Sequence, residues 1–509
     1  MKYFLLIFSF IILTLSIAGR WGNPSISMLN DSASPYTNVF ENSSPRARFA
    51  LIYSILENRS LVFSLPLAKF SLPDLAVHDG NYVSLFAPGT SFLALPGYVI
   101  GKTLGASQLG TYSIVSIFAI LNVFLIYLFL RNLEVSPLAS ALAGLIFLFG
   151  SPAFAYSVTL YQHHFSTFLL LAALLLVQRK TNFLSLSVVW FLSSLSILID
   201  YPNLFLMAPV ALFALTRLID VSHLKSRLKI SLRPWHLLTF VAVIPPLLAF
   251  LWYNNSANGG LFRLSGSLRR VEAIDLSGQP TTPRLLEQGQ IENFIQSNPD
   301  KKNTVNFFRT RRLLGGFYTH FMSLDRGLIF FSPVLVLSII GVGILNQKRN
   351  QLLNVLLGVL GANVIIYSLW GDPWGGWAFG SRYLIPSYSI LAIFLGIGLG
   401  HFHRRLLVIL PFLVLSVYSI AVNTLGAITT TNNPPQVEVL ALEKVTGREE
   451  KYTWERNWDF LITNGSKSFV FQTYAKNYLT APQYFYIISW AIVSAVILLT
   501  YRLYSYDSP

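Results

Sequence analysis

Apolar residues fall along this chain in long runs divided by short polar links. The runs begin near residues 3, 85, 110, 138, 162, 183, 202, 235, 328, 351, 384, 404 and 484. A helix needs about twenty apolar residues to cross a bilayer, so the pattern alone predicts thirteen crossings. The run from 85 to 103 differs from the others. Pro88, Gly89, Pro96, Gly97 and Gly101 interrupt it, and Lys102 follows at once, which weakens a continuous helix.

Charge decides whether that run crosses. With it excluded and Lys2 in the cytoplasm, the inner links hold Arg131, then Arg179 and Lys180, then Arg217 to Arg233, then Lys348 and Arg349, then Arg404 and Arg405, then Arg502. With it included, every later basic link moves outside, against the positive-inside rule. The reading is therefore twelve spans with both termini cytoplasmic. Segment 85–103 becomes an amphipathic or re-entrant helix on the outer surface. Three long segments face outward: 20–109, 254–327 and 423–483. Lys2, the apolar stretch Tyr3 to Ala18 and Ser16-Ile-Ala-Gly19 also fit a signal peptide; an uncleaved first span is the preferred reading.

The expected fold is an all-α polytopic membrane protein, a bundle of about twelve transmembrane helices with surface helices in the first outer loop. Residues 1–422 form the transmembrane module, 423–483 an outer loop or small cap, and 484–509 the last span with a short cytoplasmic tail. The expected location is the plasma membrane, with the working face away from the cytoplasm.

Composition agrees. Hydrophobic residues make up 53% and charged residues 12%, and mean hydropathy is +0.55, beyond ordinary soluble domains. The net charge of +15 comes mainly from short links between apolar runs, so it reports orientation and no nucleic-acid partner. Many of the 39 Phe, 24 Tyr and 10 Trp lie near run ends, where amphipathic rings settle at headgroup level. With no cysteine, disulfides, thiolate metal sites and cysteine nucleophiles are excluded. No GxxxxGK[ST], HExxH or GxGxxG motif occurs, so neither a nucleotide nor a redox cofactor is expected. Five Asn-x-Ser sequons, at Asn30, Asn42, Asn58, Asn254 and Asn464, all fall in the outer segments.

The first outer segment contains Leu72-Pro-Asp74-Leu-Ala-Val-His78-Asp79-Gly80-Asn-Tyr82-Val-Ser84-Leu-Phe-Ala-Pro88-Gly89 and continues to Pro96. It resembles the first-loop signature of the GT-C glycosyltransferase superfamily, in the phospholipid-carrier-dependent branch related to protein mannosyltransferases and aminoarabinose transferases. Further stretches resemble it in the same order: Tyr156 to His164, Asp325-Arg326 to Pro333, and Trp370-Gly-Asp372-Pro-Trp374-Gly-Gly-Trp377 to Pro386. The resemblance runs from about residue 44 to 390. It implies transfer of a sugar from a polyprenyl-phosphate donor, which enters sideways from lipid, to a glycan, lipid or protein acceptor at the outer face. A divalent cation, Mg or Mn, is used by some relatives only. One departure stands out: relatives carry an acidic pair before the step matched by Arg48-Phe49-Ala50, and this chain has Pro45 and Arg46 there.

Such a transfer needs a base near the acceptor hydroxyl and positive charge near the leaving phosphate. Asp74 is the preferred base, with Asp79 and His163 as further catalytic candidates; Asp79-Gly80 equally reads as a turn. Arg382 is the preferred donor-phosphate ligand, because a guanidinium forks onto phosphate and Gly375, Gly376 and Gly380 allow close backbone approach. Tyr82, His164, Trp374, Trp377, Asp325 and Arg326 are candidates for sugar or acceptor binding. For the two tryptophans an aromatic belt is the alternative, and for Asp325-Arg326 a structural ion pair. Asp372 either holds a cation or caps the turn before Pro373, and Asp200 is either a functional acid at a span end or a hairpin cap. Two other functions compete: a transporter or flippase of lipid-linked sugars, which predicts internal symmetry and acids within spans, and a polysaccharide polymerase or ligase.

Overall fold

The protein is described from a computed structural model covering residues 1–178, 182–224, 227–232, 234–275, 277–281 and 308–505. Of the basic residues used for orientation, Arg179, Lys180, Lys225 and Arg233 lie outside the described residues.

Six described helices are long and apolar enough to cross a membrane: Ser107–Asn132, Trp235–Asn258, Gln351–Ser368, Arg382–Phe402, Leu406–Ile428 and Ala481–Tyr504. Six shorter apolar helices stand at the remaining predicted positions: Lys2–Ser16, Pro137–Phe149, His163–Gln178, Phe183–Ile199, Asn203–Thr216 and Pro333–Gln347. Together they account for the twelve runs kept by the charge pattern. The chain is a predominantly helical membrane protein.

Local chemistry sets many of the helix ends. Ala481–Tyr504 opens on a capping box in which Thr480 and Gln483 exchange side-chain and backbone hydrogen bonds of 2.8 and 3.3 Å. Pro137–Phe149 starts with proline after Ser136, whose hydroxyl accepts from the Ala139 amide at 3.3 Å. Its 13 residues rise only ~20 Å, short of the ~30 Å hydrocarbon layer. Non-helical backbone at such depth is tolerated where protein covers it. The chain beyond it, Gly150 to Gln162, is almost wholly buried and contains one short helix, Ala153–Ser157. That irregular stretch delivers Tyr156, Tyr161 and Gln162 to the outer end of His163–Gln178.

Burial orders the bundle. The apolar window of Arg382–Phe402 is 83% buried and that of Trp235–Asn258 only 11%, so the first is central and the second a rim helix exposing Trp235, Leu248 and Trp252.

Segment 85–103 forms the helix Gly89–Thr103, with Pro96 inside it. A turn at Gly105 (φ 73°) folds it back onto the start of Ser107–Asn132. A Cβ added at Gly97 would lie 2.4 Å from the Gly110 carbonyl oxygen, so the pair packs backbone to backbone, as small residues permit between membrane helices. Two of the glycines that argue against a span in sequence, Gly97 and Gly101, pack against Gly110 across a helical hairpin.

Outside the bundle, the first outer segment contains the helices Ser43–Glu57 and Leu65–Ser71 and a hairpin, Leu75–His78 with Asn81–Ser84. Asp79 and Gly80 both have positive φ, 46° and 77°, which suits a two-residue turn matched to strand twist. Arg269–Val271, from the second outer segment, adds a third strand with Ala76 opposite Arg270. The two outer segments thus share a small sheet that the helical expectation did not contain; each strand is short and lies in loop sequence. The helix Leu406–Ile428 also runs beyond residue 422, so irregular chain starts at Thr429.

Candidate active site at one end of the bundle

Asp74 sits where the first two outer segments meet. Its Oδ2 accepts from the Ser43 hydroxyl at 2.6 Å and the Ser44 hydroxyl at 3.1 Å. Its other oxygen lies 4.0 Å from the Arg270 guanidinium, and Arg270 Nε donates to the Pro73 carbonyl at 3.1 Å. Ser43 and Ser44 begin Ser43–Glu57, and one turn further on that helix carries Arg48, which is 3% exposed. The carboxylate and the guanidinium are therefore set by the same helix.

Arg48 Nη2 donates to Gln162 Oε1 at 2.6 Å, and Gln162 Nε2 donates to Asp200 Oδ2 at 3.0 Å. The Arg48 guanidinium lies 4.2 Å from the centre of the Phe86 ring and 5.7 Å from that of Tyr161. Arg382 faces the same Tyr161 ring at 5.3 Å and Tyr383 at 5.5 Å. Three buried N–H groups, Arg48 Nε and Nη1 and Arg382 Nε, have no hydrogen-bond partner. Buried donors are nearly always satisfied, so the arrangement asks for an acceptor.

Electrostatics matches that geometry. Burial pulls the Arg48 guanidinium down to about 10; the Asp200 carboxylate is the strongest charge opposing this, and Arg382 adds to it. Burial raises Asp200 above the usual carboxylate value, against the Gln162 hydrogen bond and both arginines.

His163 joins this cluster. Its ring stacks on Tyr161 at 5.9 Å and meets Tyr156 and Tyr383 edge-on at 5.7 and 6.4 Å. His164 turns the other way: Nε2 donates to the Ala153 carbonyl at 2.8 Å, and Asn122 donates to its Nδ1 at 3.3 Å. It is a fully satisfied core histidine.

Trp374, Trp377, Asp325 and Arg326 hold the loop that leads to Arg382. Arg326, fully buried, donates to the carbonyls of Trp374 (3.0 Å), Gly376 (3.1 Å), Asn433 (3.0 Å) and Asp325 (2.8 Å). Asp325 Oδ2 lies 3.9 Å from Arg326 and accepts the Gln436 amide at 3.0 Å. Trp377 Nε1 donates to Glu438 at 2.7 Å, while Arg312 and Arg456 stack on Trp374 and Trp377. Asp372 Oδ1 accepts the Gly375 amide at 3.0 Å, the bond of a turn cap, and burial raises its pKa. Gly375, Gly376 and Gly380 have φ of 75°, 64° and 60°, the left-handed region that favours glycine. The stretch 429–438 is thereby locked onto this loop. It also holds the first segment: Glu41 accepts from the Thr431 amide (2.8 Å), the Thr430 hydroxyl (2.8 Å) and Lys467.

Asp79 and Tyr82 lie apart from Asp74, toward the hairpin tip: Tyr82 stands opposite Val77, and Asp79 is in the turn beyond His78. The Asp79 side chain is 82% exposed and 3.1 Å from His78 Nε2, whose ring receives Arg263 at 3.2 Å on Nδ1. Tyr82 donates to the Gly278 carbonyl at 2.8 Å. Both line an open groove of about 530 Å³ with Arg263 and Arg269.

The structure thus gathers Asp74, His163 and Arg382 around residues the sequence reading had not assigned to the site: Arg48, Tyr161, Gln162 and Asp200. An acid at a span end was a usable signal for Asp200. Gln162 had none, because an amide carries no charge pattern. Asn42 and Asn254 are engaged internally, Asn42 with Thr431 at 2.8 Å and Asn254 with the Leu261 carbonyl at 3.2 Å, so two of the five sequons serve packing.

Asp74 and Asp372 are among the carboxylates nearest this site. Asp74 is occupied by two hydroxyls and Asp372 by a turn amide, and the described residues contain no group of three or more His, Asp or Glu placed to hold a metal.

No family model matches the chain, and no curated protein matches it. Among solved structures it is similar to ArnT from Cupriavidus metallidurans in the apo state (TM-score 0.46, 10% identity, 98% of this chain and 76% of that one). It is also similar to ArnT bound to undecaprenyl phosphate (TM-score 0.43, 11% identity, 99% and 77%). A third is the oligosaccharyltransferase of Archaeoglobus fulgidus in the apo form (TM-score 0.38, 16% identity, 97% of this chain). The chain spans 56% of that protein's length.

Proposed function

We propose that the chain is a membrane glycosyltransferase that moves a sugar from a polyprenyl-phosphate carrier to a hydroxyl acceptor at the extracytoplasmic boundary of the plasma membrane. One observation carries the reading: Arg48 and Arg382 face one tyrosine ring and keep three buried N–H groups without a partner. A phosphate supplies several charged acceptor oxygens and meets guanidinium groups bidentately. The motif order noted in the sequence supports the same chemistry.

In this reading the carrier phosphate rests against Arg48 and Arg382, with Tyr161 and His163 beside it. Asp74 takes the acceptor hydroxyl proton as the acceptor oxygen bonds to the anomeric carbon. The bond from that carbon to the phosphate oxygen breaks with its electron pair on the phosphate, where both guanidinium groups stabilise the charge. Ser43 and Ser44 hold the Asp74 carboxylate in place. His163 lines the site, and Tyr82 and Asp79 in the open groove meet the distal part of the acceptor.

The test supplies membranes containing the chain with radiolabelled polyprenyl-phosphate sugars extracted from the host. Label should move from the carrier into a new product, and Asp74→Asn membranes with equal protein should leave it on the carrier. Movement of intact carrier-linked sugar across sealed vesicles, with no covalent transfer, would assign the chain to transport instead.

A further inference from the structure

Arg48 is held at one nitrogen only, and indirectly. Nη2 reaches Gln162 Oε1 at 2.6 Å, and the opposite end of that amide reaches Asp200 at 3.0 Å. The amide orientation follows from its neighbours: a guanidinium only donates and an ionised carboxylate only accepts, so the carbonyl faces Arg48 and the NH₂ faces Asp200. Gln162 is 8% exposed, and Phe86 covers one face of the guanidinium at 4.2 Å. Gln162 ends the irregular stretch before His163–Gln178, and Asp200 lies in the turn between Phe183–Ile199 and Asn203–Thr216. Two bundle elements thus reach an arginine that belongs to the first outer segment.

We propose that Gln162 and Asp200 form a brace that orients Arg48 and leaves its Nε and Nη1 turned toward a phosphoryl oxygen. Both are positioning residues, and the proposal rests on reading Arg48 as a phosphate ligand. The spacer has a physical purpose. A carboxylate placed directly on Arg48 would take two N–H groups in a bidentate pair and compete with phosphate. Set one amide away, Asp200 still offsets part of the positive charge of Arg48 and Arg382, since Coulomb attraction falls only as the inverse of distance. The fork stays open. The direction of the Arg48 and Asp200 pKa shifts, each opposed by the other group, agrees with a coupled pair.

The brace depends on the hydrogen bond to Gln162 and not on the residue-200 charge alone, which gives it a distinctive signature. The full-length protein is purified into phosphatidylglycerol and phosphatidylethanolamine nanodiscs, and saturable binding of undecaprenyl phosphate is measured with the melting temperature of each variant. Gln162→Leu, and Gln162→Ser, which is too short to reach, should each weaken binding at least tenfold. Asp200→Leu should do the same, whereas Asp200→Asn, which still accepts from the Gln162 amide, should stay within about threefold of wild type. Wild-type affinity in folded Gln162→Ser protein overturns the brace, as does an Asp200→Asn protein as weak as Asp200→Leu. A wild type that does not bind undecaprenyl phosphate overturns the phosphate reading of the site, and the brace with it.

Discussion

Ser43 donates its hydroxyl hydrogen to Asp74, 31 positions further along the chain, at 2.6 Å, and so fixes the acid to the helix that carries Arg48. The two groups given opposite charges in the proposed transfer share one rigid support.

Replacing Asp74 with asparagine keeps the shape and the serine contacts but removes the proton acceptor. Transfer should fall by about 10²- to 10⁴-fold, the usual range for a positioned base, with protein level unchanged. Ser43→Ala should cost far less, on the order of tenfold, by loosening the carboxylate. The assay is initial transfer rate per milligram of membrane protein. Equal rates for wild type and Asp74→Asn would remove Asp74 from the mechanism.

Arg326 should matter for stability more than for chemistry. Its guanidinium serves four carbonyls, among them those of Trp374, Gly376 and Asn433. Arg326→Met strands these acceptors, and unsatisfied buried groups cost about 1–3 kcal/mol each. The expectation is a markedly lower melting temperature by nanoscale fluorimetry. Trp377→Phe, which loses only the bond to Glu438, should cost about 1 kcal/mol.

Stability should depend on pH through Asp200. Burial raises its pKa above the ordinary value of 3.8, so the folded chain binds this proton more tightly than the unfolded chain. Such a group contributes stability that is fully present below the unfolded pKa and lost as pH rises through the folded one. Asp200→Asn should therefore melt higher than wild type at neutral pH, and the gap should close as pH falls toward 3.8. A pH-independent gap would contradict this assignment.

The helical hairpin of the first outer segment should reject side chains at its contact. A Cβ at Gly97 would meet the Gly110 carbonyl at 2.4 Å, and one at Gly110 would meet the Gly97 oxygen at 2.3 Å. Gly97→Leu should lower expression and melting temperature, while Gly105→Asn, at a turn with open space and φ of 73°, should be nearly silent, since asparagine tolerates that conformation.

The fold was legible in sequence because hydropathy and charge act over long stretches. The spacing of the apolar runs, with the proline and glycine pattern of 85–103, suffices for a twelve-helix layout. The site was legible only where a residue carries charge in a recognisable motif, as Asp74 and Arg382 do. Asp200 carried the signal of an acid at a span end, and Tyr161 and Gln162 lay within the Tyr156 to His164 stretch, but their roles arise from distant partners: Arg48 and Gln162 are 114 residues apart and Gln162 and Asp200 are 38 apart. His163 and His164 show the same limit within one dipeptide. Both are buried, and only the helix rotation decides that one ring faces Tyr161 while the other bonds Ala153. The last outer segment, unassigned in sequence, owes its place to backbone acceptors such as the Asn433 carbonyl, which no side-chain pattern reveals.

The central claim is that Arg48 and Arg382 together receive the phosphate of a polyprenyl carrier. The most direct measurement is saturable binding of undecaprenyl phosphate to the purified full-length protein in nanodiscs, compared with Arg382→Ala. The account predicts saturable wild-type binding and at least thirtyfold weaker binding in the variant, since removing one partner of a desolvated charge pair costs about 2–5 kcal/mol. Equal affinity in the two proteins, or no saturable binding by wild type, would contradict it.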